Sequence, residues 1–217
     1  MLKKYKKTLI LSTLVLLIPI AVGLLLWNRL PDPMPSHWNI HGEVDSWSSK
    51  AFAVFGLPCF MVGIHWLCVL ASCADPSRKN YHPKMFKLVL WICPGITLVI
   101  HTLVYCTALG ATISVNMVMP LLVGFMFIVV GNLLPKCQRS YTMGIKLPWT
   151  LNSEENWNAT LRFGGKVWVA GGIVTMLTSP WGNFWFLMII LAVMVIAPTL
   201  YSYLYYRNHE KDAHNGN

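Results

Sequence analysis

The chain has 217 residues, 55% of them hydrophobic and 12% charged, with a formal net charge of +9. That is far more apolar than a soluble domain of this size, and it excludes both a water-soluble enzyme core and a disordered polar chain. The positive charge is read as a membrane-topology signal, and no direct nucleic-acid site is assigned to it.

Uninterrupted apolar runs fall at Thr8–Trp27, Ala51–Cys73, Leu88–Leu109, Ala111–Leu134, Phe163–Ser179 and Asn183–Leu204. Apart from the fifth, each is long enough to cross a ~30 Å hydrocarbon core at ~1.5 Å per residue. The fifth spans only if Phe163–Lys166 extends its helix and Lys166 snorkels to the interface. Lipid offers no partner to a free backbone, so each run is expected to be helical, with Pro19, Pro58, Pro94, Pro120 and Pro198 accommodated inside a bundle. The expectation is an all-α integral membrane protein with six transmembrane helices. Its N-terminal half, 1–110, carries three spans and an extracytoplasmic loop at 28–50; its second half, 111–217, carries three spans and a cytoplasmic loop at 135–166. The first run follows Lys3, Lys4, Lys6 and Lys7 but ends in "LLWNRLPDP", which lacks a small-residue cleavage site, so it reads as a retained anchor.

Orientation follows from the basic residues. The N-terminus, the connector with Arg78, Lys79, Lys84 and Lys87, and the connector with Lys136, Arg139, Lys146, Arg162 and Lys166 hold most of them, whereas Arg29 and Lys50 in the first loop face Asp32, Glu43 and Asp45. Both termini are therefore expected in the cytoplasm. The six cysteines lie singly, with no disulfide framework or Cys-x-x-Cys site.

The first loop, "RLPDPMPSHWNIHGEVDSWSSK", should begin extended because of its prolines and turn at Gly42. His37 and His41 have the i, i+4 spacing of a zinc pair, with Asp45 near, but Pro35, Asn39 and Gly42 argue against the helix such a pair needs, and no metal or cofactor is assigned. Trp38 and Trp47 suit the headgroup level, and the exposed loop suits a docking surface. In the long second-half loop, Asn152 is expected to cap a helix with Glu155 three residues on. Trp157 and Leu161 then share one face, making an amphipathic interfacial helix that feeds the fifth span.

His65 and His101 are the ionisable groups deep in the spans, and such groups are functional candidates by default. Their offset of ~8 Å in depth argues against a shared site and for neutral histidines bonded to a neighbouring helix. The chain offers no nucleophile with a base, paired carboxylates or HExxH helix, so it is not read as an enzyme. The alternative to a binding protein is a small transporter or channel with a polar path near His65, His101 and Asn116.

The stretch "GNLLPKCQRSYTMGIKLPWTLNSEENWNATLRFGGKVWVAGG" resembles the signature region of the SdpI family, immunity proteins against the sporulation-delaying-protein toxin. The stretch "LPDPMPSHWNIHGEVDSWSSK" resembles the domain of unknown function common in the N-terminal half of that family. The resemblance implies a polytopic membrane protein conferring toxin resistance, which binds a secreted membrane-active peptide toxin and holds a cytoplasmic transcriptional repressor at the lipid bilayer. It implies a toxin-facing loop in which Pro35, His37, Asn39, Gly42, Asp45 and Lys50 match the family motif, and to which Trp38 and Trp47 of the same loop are added as candidate contacts. It also implies a cytoplasmic signalling loop with Asn132, Pro135, Tyr141, Gly144, Lys146, Pro148, Trp149, Thr150, Trp157, Thr160, Gly164 and Gly165. Lys146 stands where the family has Arg, Ser140 where it has Asn, and Leu161 where it has His.

Overall fold

A computed structural model describes residues 2–209. The expected cytoplasmic chain ends, Met1 and residues 210–217, lie outside the described residues. Helices α1 (Lys6–Leu25), α2 (Leu57–Ala74), α3 (Pro83–Ala108), α4 (Val115–Leu133) and α7 (Phe184–His209) correspond to five of the apolar runs. Among the described residues, five helical stretches are long and apolar enough to cross a membrane: Lys6–Leu25, Phe52–Ala74, Pro83–Ala108, Val115–Lys136 and Phe184–His209. The second includes a π-helical turn, Phe52–Gly56, leading into α2.

The run at Phe163–Ser179 lies inside α6, Glu154–Thr178. The helix expected at the interface and the apolar segment are thus one continuous helix, whose charged first half keeps it out of the set of five. A short helix, α5 (Pro148–Asn152), precedes it. The expected cap is corrected here: Asn152 is the last residue of α5, and Ser153 caps α6. Ser153 has extended backbone, and its hydroxyl accepts from the Asn156 amide at 3.2 Å. Glu154 and Glu155 occupy the first turn, where carboxylates favour the positive helix end.

One departure from helix occurs between α1 and α2. Strands β1 (Met34–Trp38) and β2 (Val44–Ser48) form an antiparallel hairpin, with Pro35 opposite Trp47 and His37 opposite Ser46. The extended start and the turn at Gly42, with φ +80°, follow the proline and glycine pattern. The return strand carries no regular alternation in "VDSWS", so period-two reading passes over it.

The chain divides into two compact units, Met1–Ala74 with Phe86–Val118, and Asp75–Met85 with Met119–Asn217. In the first, Met34 of β1 joins a buried cluster of Leu30, Ala53, Val54, Val104 and Tyr105, against which Trp27 and Trp38 pack. The Tyr105 hydroxyl donates to the Pro19 carbonyl oxygen at 2.9 Å, tying α3 to α1.

In the second unit, α4 and α6 meet through glycines. A Cβ at Gly172 would lie 2.6 Å from the Gly124 carbonyl oxygen, and one at Gly165 would lie 2.7 Å from that of Gly131. Both pairs are spaced seven residues apart on their helices, so backbone meets backbone over two turns. On α7, Met194 lies over Gly171 and its carbonyl accepts from the Trp168 indole at 3.0 Å.

Candidate functional site

The hairpin turn is built by Asn39. Its side-chain oxygen accepts from the His41 and Glu43 amides at 2.9 and 3.0 Å, and its own amide donates to the Glu43 carbonyl at 2.9 Å. The Asn116 amide reaches the Ile40 carbonyl at 3.3 Å, which holds the tip against the start of α4 within the same unit. At the base, the Lys50 ammonium donates to the Trp27 carbonyl at 3.1 Å and lies 5.2 Å from the Trp27 ring centre, while its backbone amide donates to Asp32 at 3.1 Å. His37 Nδ1 and Asp45 Oδ1 meet at 2.6 Å on the exposed side. Trp47 is 54% exposed.

These contacts divide the expected toxin-facing residues. Trp38, Asn39, Gly42 and Lys50 build the hairpin, whereas His37, Asp45 and Trp47 stand on its open surface. His37 and His41 do not form a helical pair, because His41 belongs to the turn and His37 is engaged by Asp45. Among the described residues no group of three His, Cys, Asp or Glu could hold a metal ion.

His65 and His101 are both buried. A His65 ring nitrogen lies 3.2 Å from the Ser12 hydroxyl on α1, and a His101 ring nitrogen lies 2.8 Å from the Thr97 carbonyl one turn back. The second ring nitrogen of each has no partner among the described residues. Asn116, the third residue of the transporter alternative, is occupied by the hairpin tip.

The second unit is organised around a residue that the sequence reading passed over. Asp75 directly follows α2 and is 3% exposed. Its carboxylate accepts from the Ser77 amide at 2.7 Å, the Tyr81 hydroxyl at 2.6 Å, the Tyr141 amide at 3.1 Å, and the Thr142 amide and hydroxyl at 3.0 and 2.8 Å. No described cation pairs with it, so the buried charge is carried by neutral donors. Burial alone would raise its pKa. The hydrogen bonds from Tyr81, Ser77 and Thr142 outweigh burial and hold the carboxyl below the usual aspartate range. Burial, then the bond to Asp75, pushes the Tyr81 hydroxyl up to about 12, and burial with the Asp75 charge pushes the Cys137 thiol up to about 11. The sequence signal was available. Asp75 is the sole acid between Asp45 and Glu154, and it precedes a proline and a serine in the manner of a short-helix cap.

Pinned by Asp75, the segment from Cys137 to Leu147 folds back on itself. The Ser140 hydroxyl accepts from the Met143 amide at 2.9 Å and donates to its carbonyl at 3.0 Å. Gly144 has φ +107°, and a Cβ there would strike the Trp157 ring at 2.7 Å, so only glycine fits. Trp157 is 1% exposed, and its indole donates to the Cys137 carbonyl at 2.9 Å. A polar network closes the other side. The Trp149 indole donates to the Ser202 hydroxyl at 2.7 Å, Ser202 donates to the Asn156 side-chain oxygen at 3.0 Å, and Thr160 donates to the same oxygen at 2.9 Å.

The model of the domain of unknown function DUF1648 matches residues 14–62, and the model of the SdpI/YfhL protein family matches residues 136–202. A protein of Bacillus subtilis (strain 168), "Immunity protein SdpI", is 24% identical over 205 residues, covering 91% of this chain and 95% of that relative. The C-terminal segment is thus similar to the SdpI/YfhL protein family and the N-terminal one to DUF1648. No solved structure matches the chain.

Within the segment that resembles the SdpI/YfhL family, and the loop just before it, the signature residues separate into two groups. Trp157, Thr160, Thr150 and Gly164 are buried, Gly144 and Gly165 sit at close approaches, and half-buried Trp149 packs on Tyr203 and Tyr206 of α7. Thr150 also fastens the start of α5, accepting from the Leu147 amide at 2.9 Å. These residues shape the fold. Asn132, Pro135, Tyr141, Lys146 and Pro148 are exposed, Tyr141 by 66%. The Lys146 ammonium donates to the Tyr141 carbonyl at 3.2 Å, which sets the two side by side. Ser140, in place of the family's Asn, is buried and closes its turn, and Leu161, in place of His, is buried near Gly144. Both substitutions fall in the packed group. Asp75, Asn156 and Ser202 are the organising residues that motif reading did not single out.

Proposed function

We propose that this chain is a membrane immunity and signalling protein that binds a secreted membrane-active peptide toxin. The near full-length match to "Immunity protein SdpI" is the observation that carries the reading. Six spans are proposed, with α6 supplying the fifth in addition to the five apolar helices, the hairpin outside and the Cys137–Leu147 segment inside. The tie from Asp75 to Tyr141 and Thr142 supports that orientation, since it joins two loops that share one side when α3 and α4 cross in succession. Both loops are rich in Lys and Arg, as cytoplasmic loops are.

In this reading His37, Asp45 and Trp47 contact the toxin, and a half-exposed tryptophan on the same hairpin as the hydrogen-bonded His37–Asp45 pair has the character of a binding hot spot. Expression in a toxin-sensitive strain raises survival. Trp47→Ala weakens protection by about tenfold or more, as loss of a hot-spot aromatic does, with membrane abundance unchanged. Unchanged killing with the wild-type chain overturns the role, and full protection by Trp47→Ala moves the contact off the hairpin.

The exposed strip of Tyr141, Lys146 and Pro148 is the proposed face for a cytoplasmic repressor. Lys146→Ala removes one exposed cation and costs under about 0.5 kcal/mol of stability. It leaves protection intact and lowers repressor capture at the membrane, measured by co-sedimentation. Trp149 is the less informative target, because its loss disturbs α7 packing. Equal loss of protection and capture in Lys146→Ala overturns the assignment.

A further inference from the structure

A groove of about 490 Å³ opens between α6 and α7, lined by Glu155, Asn158, Arg162 and Lys166 from α6 and by Tyr201 and Tyr205 from α7. The α6 residues recur on one helix face. Arg162 and Lys166 lie one turn apart, both exposed, and among the described residues neither makes an ion pair. Glu155 is eleven positions before Lys166, or ~16 Å along the helix, so the cations occupy one end of the groove and the acid the other.

Depth gives these cations a meaning. The uncharged stretch of α6 beyond Lys166, residues 167–178, is only ~18 Å long, well short of a hydrocarbon core. On α7, Tyr201 stacks on Phe163 at 4.4 Å between ring centres and stands ~26 Å along the helix from Phe184. Tyr201 and Phe163 are thus at the aromatic belt, and Lys166 is a turn below it, on the hydrocarbon side. An ammonium there must rise along the groove toward Arg162, and the anion at that level in a bilayer is the lipid phosphate.

We infer that this groove is a binding site for the phosphate of an anionic phospholipid headgroup, held by Arg162 and Lys166 between walls formed by Tyr201 and Tyr205. Two cations against one distant acid select a headgroup with net negative charge, as basic pockets between transmembrane helices do. The inference requires neither the toxin nor the repressor reading.

The test uses the full chain purified in phosphatidylcholine nanodiscs and titrated with phosphatidylglycerol, with bound lipid counted by native mass spectrometry. Saturable binding is expected, weakened about tenfold to thirtyfold in Arg162→Ala/Lys166→Ala, at about 1 kcal/mol per basic residue. Lys3→Ala/Lys4→Ala removes the same charge elsewhere and shifts binding by less than about twofold. Equal weakening in both double variants, equal retention of phosphatidylcholine, or displacement of the lipid by equimolar inorganic phosphate overturns the inference. A photoactivatable phosphatidylglycerol added to the unaltered chain gives a second measure that no folding defect affects. Crosslinks at residues 158–166 or 201–205 support the site, and crosslinks confined to other segments refute it.

Discussion

Asp75→Ala releases the Cys137–Leu147 segment while the helices stay in the membrane. The carboxylate is the common acceptor for Ser77, Tyr81, Tyr141 and Thr142. Hydrogen bonds to a charged group contribute more than neutral ones, so the loss is about 3 kcal/mol or more for the local structure. The amide protons of Tyr141 and Thr142 then exchange faster, and trypsin cuts after Arg139 or Lys146 in membranes where the wild type resists. Asp75→Asn does nearly as badly, because its NH2 group turns a donor toward donors. The sign with pH follows from linkage. The folded carboxyl is held below the unfolded aspartate value of about 3.9, so its stabilisation is complete above that value and is lost as pH falls through it toward the depressed folded pKa. Wild-type loop protection that does not fall as pH is lowered from neutrality through and below the unfolded aspartate value of about 3.9, or protection in Asp75→Ala equal to wild type, refutes the role assigned to this residue.

Gly172→Leu prevents α4 and α6 from docking. Any side chain at that position meets the Gly124 carbonyl at 2.6 Å and Ile128 at 2.9 Å, and a carbonyl in a helix cannot rotate aside. Overpacking costs about 1 to 3 kcal/mol where side chains can yield, and more where backbone must move. Little folded protein is expected in detergent extracts, by size-exclusion profile and thermal melt. Gly63→Ala and Gly95→Ala are the controls, since nothing lies within 4 Å of a Cβ at either helical position. Each should be neutral or stabilise by up to about 1 kcal/mol, from the better helix propensity of alanine. Comparable losses at Gly63 and Gly172 refute the close-approach account.

Both residues show where sequence reading reaches and where it ends. Hydropathy located five helices to within a few residues, because burying apolar side chains in lipid and satisfying the backbone both act locally. The fifth apolar run was seen as well, and so was a helix feeding it, but that the two form one unbroken helix from Glu154 to Thr178 was not, since composition does not mark whether two adjoining helical stretches are joined. The turn at Gly42 was legible from its glycine, whereas β2 was not, because its pairing with β1 is non-local and its residues do not alternate. Asn152 and Ser153 are neighbouring cap formers, and the end of α5 decided between them.

The candidate site divides on the same lines. That the loops carry His37, Asp45, Trp47, Tyr141 and Lys146 is written in the chain, and so is their concentration between apolar runs. Which signature residues face water depended on packing. Trp157, Thr160 and Trp149 read like recognition residues, yet Gly144, Cys137 and Ser202 receive them into the fold. By itself, the sequence determined the apolar, membrane-spanning character of the chain and its helical segments, each set by composition over short windows. Only the tertiary structure decided that Asp75 anchors a loop 66 residues away, and that Gly124 and Gly131 meet Gly172 and Gly165. The physical reason is that a hydrogen bond or a backbone contact depends on ångström distances between residues remote in the chain, and no local pattern encodes those distances.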